Sequence, residues 1–152
     1  MFLNCHTYYS LRYGTLSPET LVHRAAELGI KALALTDINN TSGIFDFVKA
    51  CRQHHIQPIV GMEFRNDNRL LYTALALNAK GFEEINRFFN QHNLIQQPFP
   101  IQAPQFEHCA TVYPFLQTSP DHLRENEYAG IRVVDQTRLI TSVFKHLLDI
   151  LL

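Results

Sequence analysis

Three short apolar runs near the start of the chain carry side chains able to bind metal or move protons. Asn4 and His6 lie in the run Phe2–Thr7, Asp37 follows Ala32-Leu33-Ala34-Leu35, and Glu63 follows Pro58-Ile59-Val60-Gly61-Met62. In parallel α/β architectures ligands gather beyond the carboxyl ends of the strands, so chemistry is expected at these positions. Side chains alternate along a strand, which puts Asn4 and His6 on one face and Cys5 on the other. An imidazole and carboxylates converging at one barrel mouth suit a metal-assisted hydrolase. Each residue also has an ordinary role open to it. Asp37, just ahead of Asn39-Asn40, can hold its loop through an Asx turn, His6 can hydrogen-bond a backbone carbonyl, and Glu63 can be a solvated rim residue. Spacing alone leaves both readings standing.

Other candidate ligand pairs are Cys5-His6, His54-His55 and His108-Cys109. Neighbours on a strand point to opposite faces, so neither Cys5 with His6 nor His108 with Cys109 converges easily on one ion. The spacings of closed structural zinc modules are absent. Cys5, Cys51 and Cys109 are odd in number and contain no C-x-x-C pair, which argues against a disulfide framework and for a reduced compartment.

The elements that must position these residues follow a β-α-β-α-β order. Phe2–Thr7 reads as a strand bounded by polar residues. Ser17-Pro18-Glu19 supplies an N-cap, a first-turn proline and an early acid, and Leu21, Val22, Ala25, Ala26 and Leu28 then recur at helical spacing up to Gly29. Ala32–Leu35 is a continuous apolar run, as in a strand covered on both faces. A second amphipathic helix runs through Ile44, Phe45, Phe47, Val48 and Cys51, and Pro58–Met62 is the third strand. Short connections in this order imply parallel strands joined by right-handed crossovers. Further on, Leu70–Leu77 reads as a strand, Gly81–Asn90 as a helix with Phe82, Ile85, Phe88 and Phe89 inward, and 96–105 as a proline-broken loop. Ala110–Tyr113 and Gly130–Val134 read as short strands, Pro120–Asn126 as a short helix and Thr137–Ser142 as a helical turn.

The 152 residues are 46% hydrophobic and 18% charged, which excludes intrinsic disorder and provides for a packed core. No apolar stretch reaches the roughly 18 residues of a membrane helix, and the N-terminus lacks a signal-peptide pattern, so a cytoplasmic protein is expected. A formal net charge of −1 gives no support to a DNA-gripping surface. Leu147-Leu148-Asp149-Ile150-Leu151-Leu152 reads as a buried strand cut short, which suggests the front of a longer protein and, if the barrel is unfinished, self-association.

The motifs around the candidate residues resemble the PHP (polymerase and histidinol phosphatase) domain, in the form that opens the alpha subunit of bacterial DNA polymerase III. The family's His-x-His-[Ser/Thr]-x-x-Ser stands here as Asn4-Cys5-His6-Thr7-Tyr8-Tyr9-Ser10, followed by Tyr13-Gly14 in place of Asp-Gly. Its Leu-x-[Leu/Ile]-Thr-Asp-His stands as Leu33-Ala34-Leu35-Thr36-Asp37-Ile38, and its Lys-Pro-Ile-[Ile/Val]-Gly-x-Glu as Gln57-Pro58-Ile59-Val60-Gly61-Met62-Glu63. Asn78-Ala79-Lys80-Gly81-Phe82 also resembles the polymerase version, and residues 2–90 carry the match. The resemblance implies an α/β fold, a distorted (β/α) barrel with parallel strands, only part of which is present in the single domain 1–152.

Active members of the family hold a cluster of zinc, manganese or iron ions and hydrolyse phosphoesters, with imidazoles and carboxylates offsetting the repulsion between the metals. Carried over by position, this chain keeps His6, Asp37 and Glu63 and departs at Asn4, Tyr13, Ile38 and Leu71. Ile38 and Leu71 cannot ligate, and an Asn carbonyl is a poor substitute. The resemblance thus implies a degenerate metal site with no catalytic residues and no bound metal, His6 and Glu63 remaining as weak candidates for one ion. By the same resemblance, magnesium and nucleotide transfer belong to the polymerase region outside this stretch. Its partners would be the remainder of the polymerase alpha chain and the proofreading exonuclease, with DNA reached only through the full-length protein. Three functions follow as alternatives: a structural and docking module of the replicative polymerase, a working metal-dependent PHP phosphoesterase (free-standing or proofreading), or the equivalent domain of an error-prone polymerase.

Overall fold

The computed structural model describes residues 1–115, 117–132 and 135. Helix α1 (Pro18–Glu27) starts where the Ser17 hydroxyl accepts from the Thr20 N–H at 3.1 Å, with Pro18 in the first turn. It ends in a Schellman arrangement: the Gly29 N–H donates to Ala26, the Ile30 N–H donates to Ala25, and Gly29 takes φ 69. Strand β1 (Ala32–Leu35), helix α2 (Ile44–Gln53) and strand β2 (Gln57–Asn66) follow, with β1 parallel to the first half of β2. Val22, Ala25, Leu33, Leu35, Ile44, Phe47, Ala50, Cys51 and Ile56 form one buried cluster between the two helices and the sheet. Leu28 and Phe45, both read as part of apolar helical faces, are exposed instead.

The second half of β2 turns through Asp67-Asn68, with Asp67 at φ 51, into strand β3 (Arg69–Ala76). Helix α3 (Ala79–Leu94) is capped by the Asn78 side chain and leads to strand β4 (Cys109–Pro114), a 3₁₀ turn (Pro120–His122) and strand β5 (Glu127–Gly130). The sheet order is β1-β2-β3-β4-β5, parallel at β1–β2 and β4–β5 and antiparallel at β2–β3 and β3–β4. The parallel pairing expected from the β-α-β order therefore holds for the front of the chain. The β2–β3 pair is antiparallel because a two-residue hairpin, and not a crossover helix, joins the two strands, while β4 returns antiparallel to β3 after α3 and the loop that follows it. Gly61 sits where β2 changes partner, and a Cβ there would lie 2.3 Å from the Ala74 carbonyl oxygen. Met62, Phe64, Leu71, Tyr72, Ala74, Ile85, Cys109 and Tyr113 form a second core under α3, with Phe88 and Phe99 packed onto its edge.

Three local expectations are corrected. Phe2–Thr7 is an extended segment and not a ladder strand. It makes one bridge, Phe2 to Leu33, and its backbone accepts at Phe2 from Ala34 and at Cys5 from Thr36. Phe2 and Leu3 are exposed, so no buried apolar face fixes a longer pairing. The helix read at 120–126 is only the 3₁₀ turn, and the strand read at 130–134 lies at Glu127–Gly130, where β4 offers its parallel edge. The readings at Thr137–Ser142 and Leu147–Leu152 lie outside the described residues.

Candidate metal-site positions

The loop after β1 and the middle of β2 bring the first-read residues together. Beyond Leu35 the parallel register continues as an isolated bridge between Ile38 and Glu63, with the Glu63 N–H donating to Asp37 and the Asn39 N–H to Glu63. The segment 4–13 folds over these strand ends and brings Asn4, His6, Thr7, Ser10 and Tyr13 to them.

Asp37 is 1% exposed and faces the N-terminal loop. Its Oδ1 accepts from the Thr7 N–H at 2.7 Å and from the Ser10 hydroxyl at 2.6 Å, and its Oδ2 accepts from the Thr7 hydroxyl at 2.6 Å. The Ser10 hydroxyl in turn accepts from the Ile38 N–H at 2.9 Å. Asp37 thus does hold a loop, but the one at 7–10 and not its own.

Glu63 is also 1% exposed. Its Oε2 accepts from Asn4 Nδ2 at 2.9 Å and lies 3.2 Å from His6 Nε2, while its Oε1 accepts from Arg65 Nε at 2.5 Å. It is a buried ion-pair member and not a solvated rim residue. The His6 contact is off line for a hydrogen bond, so this buried ring nitrogen has no aligned partner among the described residues. Burial alone would raise the Glu63 carboxyl, but His6, Asn4 and Arg65 outweigh it and hold the group below its ordinary value. Asn4 is oriented by the Thr36 hydroxyl, which donates to its Oδ1 at 3.0 Å and leaves the amide NH₂ toward the carboxylate.

The remaining family positions carry no donor into this group. Tyr13 is half-exposed, its ring under the Arg65 guanidinium at 4.2 Å and edge-on to His6 at 6.4 Å. Ile38 contributes backbone only. Leu71 is packed in the second core at 1% exposure, at the point where the β2–β3 register skips a residue. Thr7, Ser10, Thr36, Asn39 and Arg65 were not singled out as site residues from the sequence. Arg65 was detectable in principle: two residues after Glu63 on a strand, it must share that residue's face.

Among the described residues, one group of three His, Cys, Asp or Glu side chains brings its donor atoms within 4.8 Å of one another: Glu84, Glu107 and His108. Glu84 already accepts from the His108 N–H at 3.0 Å and lies 3.7 Å from Cys109 Sγ. His108 therefore meets the carboxylates of Glu84 on α3 and of its neighbour Glu107.

The family model of the PHP domain matches residues 3–131. The chain belongs to the PHP domain family, and its fold is mixed α/β. It is 37% identical over 110 residues to the DNA polymerase III alpha subunit of Mycoplasma genitalium, covering 68% of this chain and 12% of that protein. It is 36% identical over 96 residues to the error-prone DNA polymerase of Symbiobacterium thermophilum, covering 63% and 9%. This chain thus spans about a tenth of the length of these curated relatives. A solved structure of a candidate metal-dependent phosphoesterase from Bifidobacterium adolescentis is 25% identical, with a TM-score of 0.48, over 61% of this chain and 33% of that one.

Proposed function

We propose that this chain is the PHP portion of a DNA polymerase III alpha-type polymerase, serving DNA-templated synthesis as a structural and docking module whose metal site is lost. The observation that carries the reading is the Arg65–Glu63–Asn4 contact. The family's cluster needs several inward lone pairs, and this donor set does not fit it. Asp37 is committed to Thr7 and Ser10, Glu63 to Arg65 and Asn4, and Asn4 turns a donor toward the centre. Of the family positions, His6 brings a ring nitrogen to the group, 3.2 Å from Glu63 Oε2 and without an aligned hydrogen bond.

Docking is supported by the face between α2 and α3. An open groove there is lined by Val48, Val60 and Phe82, with Phe45 and Leu77 exposed at 78% and 59% along it. The occupant we assign is the remainder of the polymerase chain, since the matched segment is only about a tenth of the length of the aligned relatives. The proofreading exonuclease is the second partner in this reading, and the near-neutral charge suits protein contact better than DNA contact. The relatives include both DNA polymerase III alpha subunits and error-prone DNA polymerases.

His6 Nε2, 3.2 Å from Glu63 with no aligned hydrogen bond, favours a second reading, a metal-dependent phosphoesterase. Elemental analysis after incubation with manganese and zinc and desalting separates the two. Substoichiometric metal, with no metal-dependent phosphate release, is the expected result. Two or three retained ions per chain would replace the first reading with the second. Copurification with the rest of the polymerase chain tests docking, and its failure when Phe45 and Leu77 are intact would refute that part.

A further inference from the structure

We infer that Arg65 is an internal cation standing in for the metal charge, and that Asn4 and Tyr13 are adapted to hold it and are more than lost ligands. The inference rests on the reading of a lost metal site and names what replaced the metal. A buried carboxylate needs compensating charge, because desolvating it unpaired is costly. In active family members metal ions would supply that charge. Here the Arg65 guanidinium sits on Glu63 Oε1 at 2.5 Å and is itself only 13% exposed.

Two features hold Arg65 in that place, and a third holds its partner Glu63. The Asn39 side-chain amide grips the Arg65 backbone on both sides, accepting from its N–H at 3.0 Å and donating to its carbonyl at 2.9 Å. Asn39 is itself set at φ 47, with its own N–H donating to the Glu63 carbonyl. The Tyr13 ring lies 4.2 Å under the guanidinium, offering a π face where a carboxylate ligand would otherwise stand. Asn4, turned by Thr36, donates to the second Glu63 oxygen. A donor at position 4 and an aromatic at position 13 would both hinder a metal, and both suit a carboxylate already neutralised by arginine. The result is a clasp between the segment 4–13 and β2.

The test is denaturant unfolding of the 152-residue chain, with metal content measured in parallel, for wild type, Arg65→Met, Arg65→Lys, Glu63→Gln and the Glu63→Gln/Arg65→Met pair. Arg65→Met is expected to raise the unfolding equilibrium constant roughly a hundredfold or more, because it strands a buried carboxylate. Arg65→Lys should recover part of this. The double variant should be more stable than Arg65→Met alone, a non-additivity of at least about tenfold. If Arg65→Met does not fold, Arg65→Lys and the double variant still carry the comparison. A metal-free wild type with additive Glu63 and Arg65 effects would overturn the stand-in and leave the lost-site reading intact. Stoichiometric metal in the wild type would overturn both.

Discussion

Replacing Asp37 by alanine removes the acceptor of three hydrogen bonds at once and leaves their donors in a site that is 1% exposed. The Thr7 N–H has no freedom to turn elsewhere, and hydrogen bonds to a charged acceptor contribute about 1.5–3 kcal/mol each. Some relaxation is available to the two hydroxyls, so the expected loss for Asp37→Ala is about 4 kcal/mol. Asp37→Asn keeps one acceptor oxygen and should cost about 2 kcal/mol. Urea unfolding followed by far-UV circular dichroism measures both, and the larger loss corresponds to a fall in Tm of about 10 °C. Ser10→Ala should reproduce part of the effect, since its hydroxyl links Asp37 to the Ile38 N–H. A chelator should change none of these values, because the energy comes from the loop at 7–10. Asp37→Ala within about 1 kcal/mol of wild type at unchanged m-value would refute the argument. So would a deficit that appears only when metal is present.

Glu63 and Glu127 both lie below the ordinary carboxyl value: burial opposes ionisation, but His6, Asn4 and Arg65 outweigh it at Glu63, and Arg124 and Tyr113 at Glu127. A carboxyl with a lowered folded pKa stabilises the fold above its unfolded value and loses that contribution as pH falls through the folded one. Stability should therefore decline from the ordinary value of 4.5 downward, and Glu63→Gln should flatten that acid limb; identical slopes in the two proteins would contradict this. The Tyr72 hydroxyl is buried with no partner among the described residues, while its ring packs on Phe64 and Tyr113. Tyr72→Phe is expected to be neutral or stabilising by up to about 1 kcal/mol in the same urea assay, and a loss beyond 1 kcal/mol would reveal a missed partner. Gly61→Ala sets a Cβ 2.3 Å from the Ala74 carbonyl oxygen and should cost at least about 2 kcal/mol, which a wild-type Tm would disprove.

The sequence made the front of the fold readable because its signals are local. Ser17-Pro18 and Gly29 bracket α1 by capping chemistry that operates within a few residues, and the apolar run Ala32–Leu35 needs only burial to become a strand. The pairing of β2 with β3 was less accessible, since Asp67-Asn68 reads as a turn without revealing that β2 continues to Asn66. The segment 2–7 failed as a strand because its order comes from distant side chains, Asp37 and Glu63, and not from a ladder of its own.

The candidate site divides in the same way. Reading by position marks departures from the family pattern, as at Leu71, whose side chain is buried in the second core. Position could not show what was gained, because the gain is relational. Arg65 matters through Glu63 two residues earlier, Asn39 on another loop and Tyr13 fifty-two residues away in the chain. A substituted ligand such as Asn4 looks like simple decay until its amide is seen to be oriented by Thr36 toward a carboxylate that already has its cation. Loss of one ligand would strand Glu63, and a buried unpaired carboxylate is not a stable endpoint. The substitutions at positions 4 and 13 and the arginine at 65 are therefore expected to act as a set. Restoring a histidine at position 4 alone should destabilise the chain and still recruit no metal while Arg65 remains. Restoration in the Arg65→Met background is the combination in which metal uptake would first be expected.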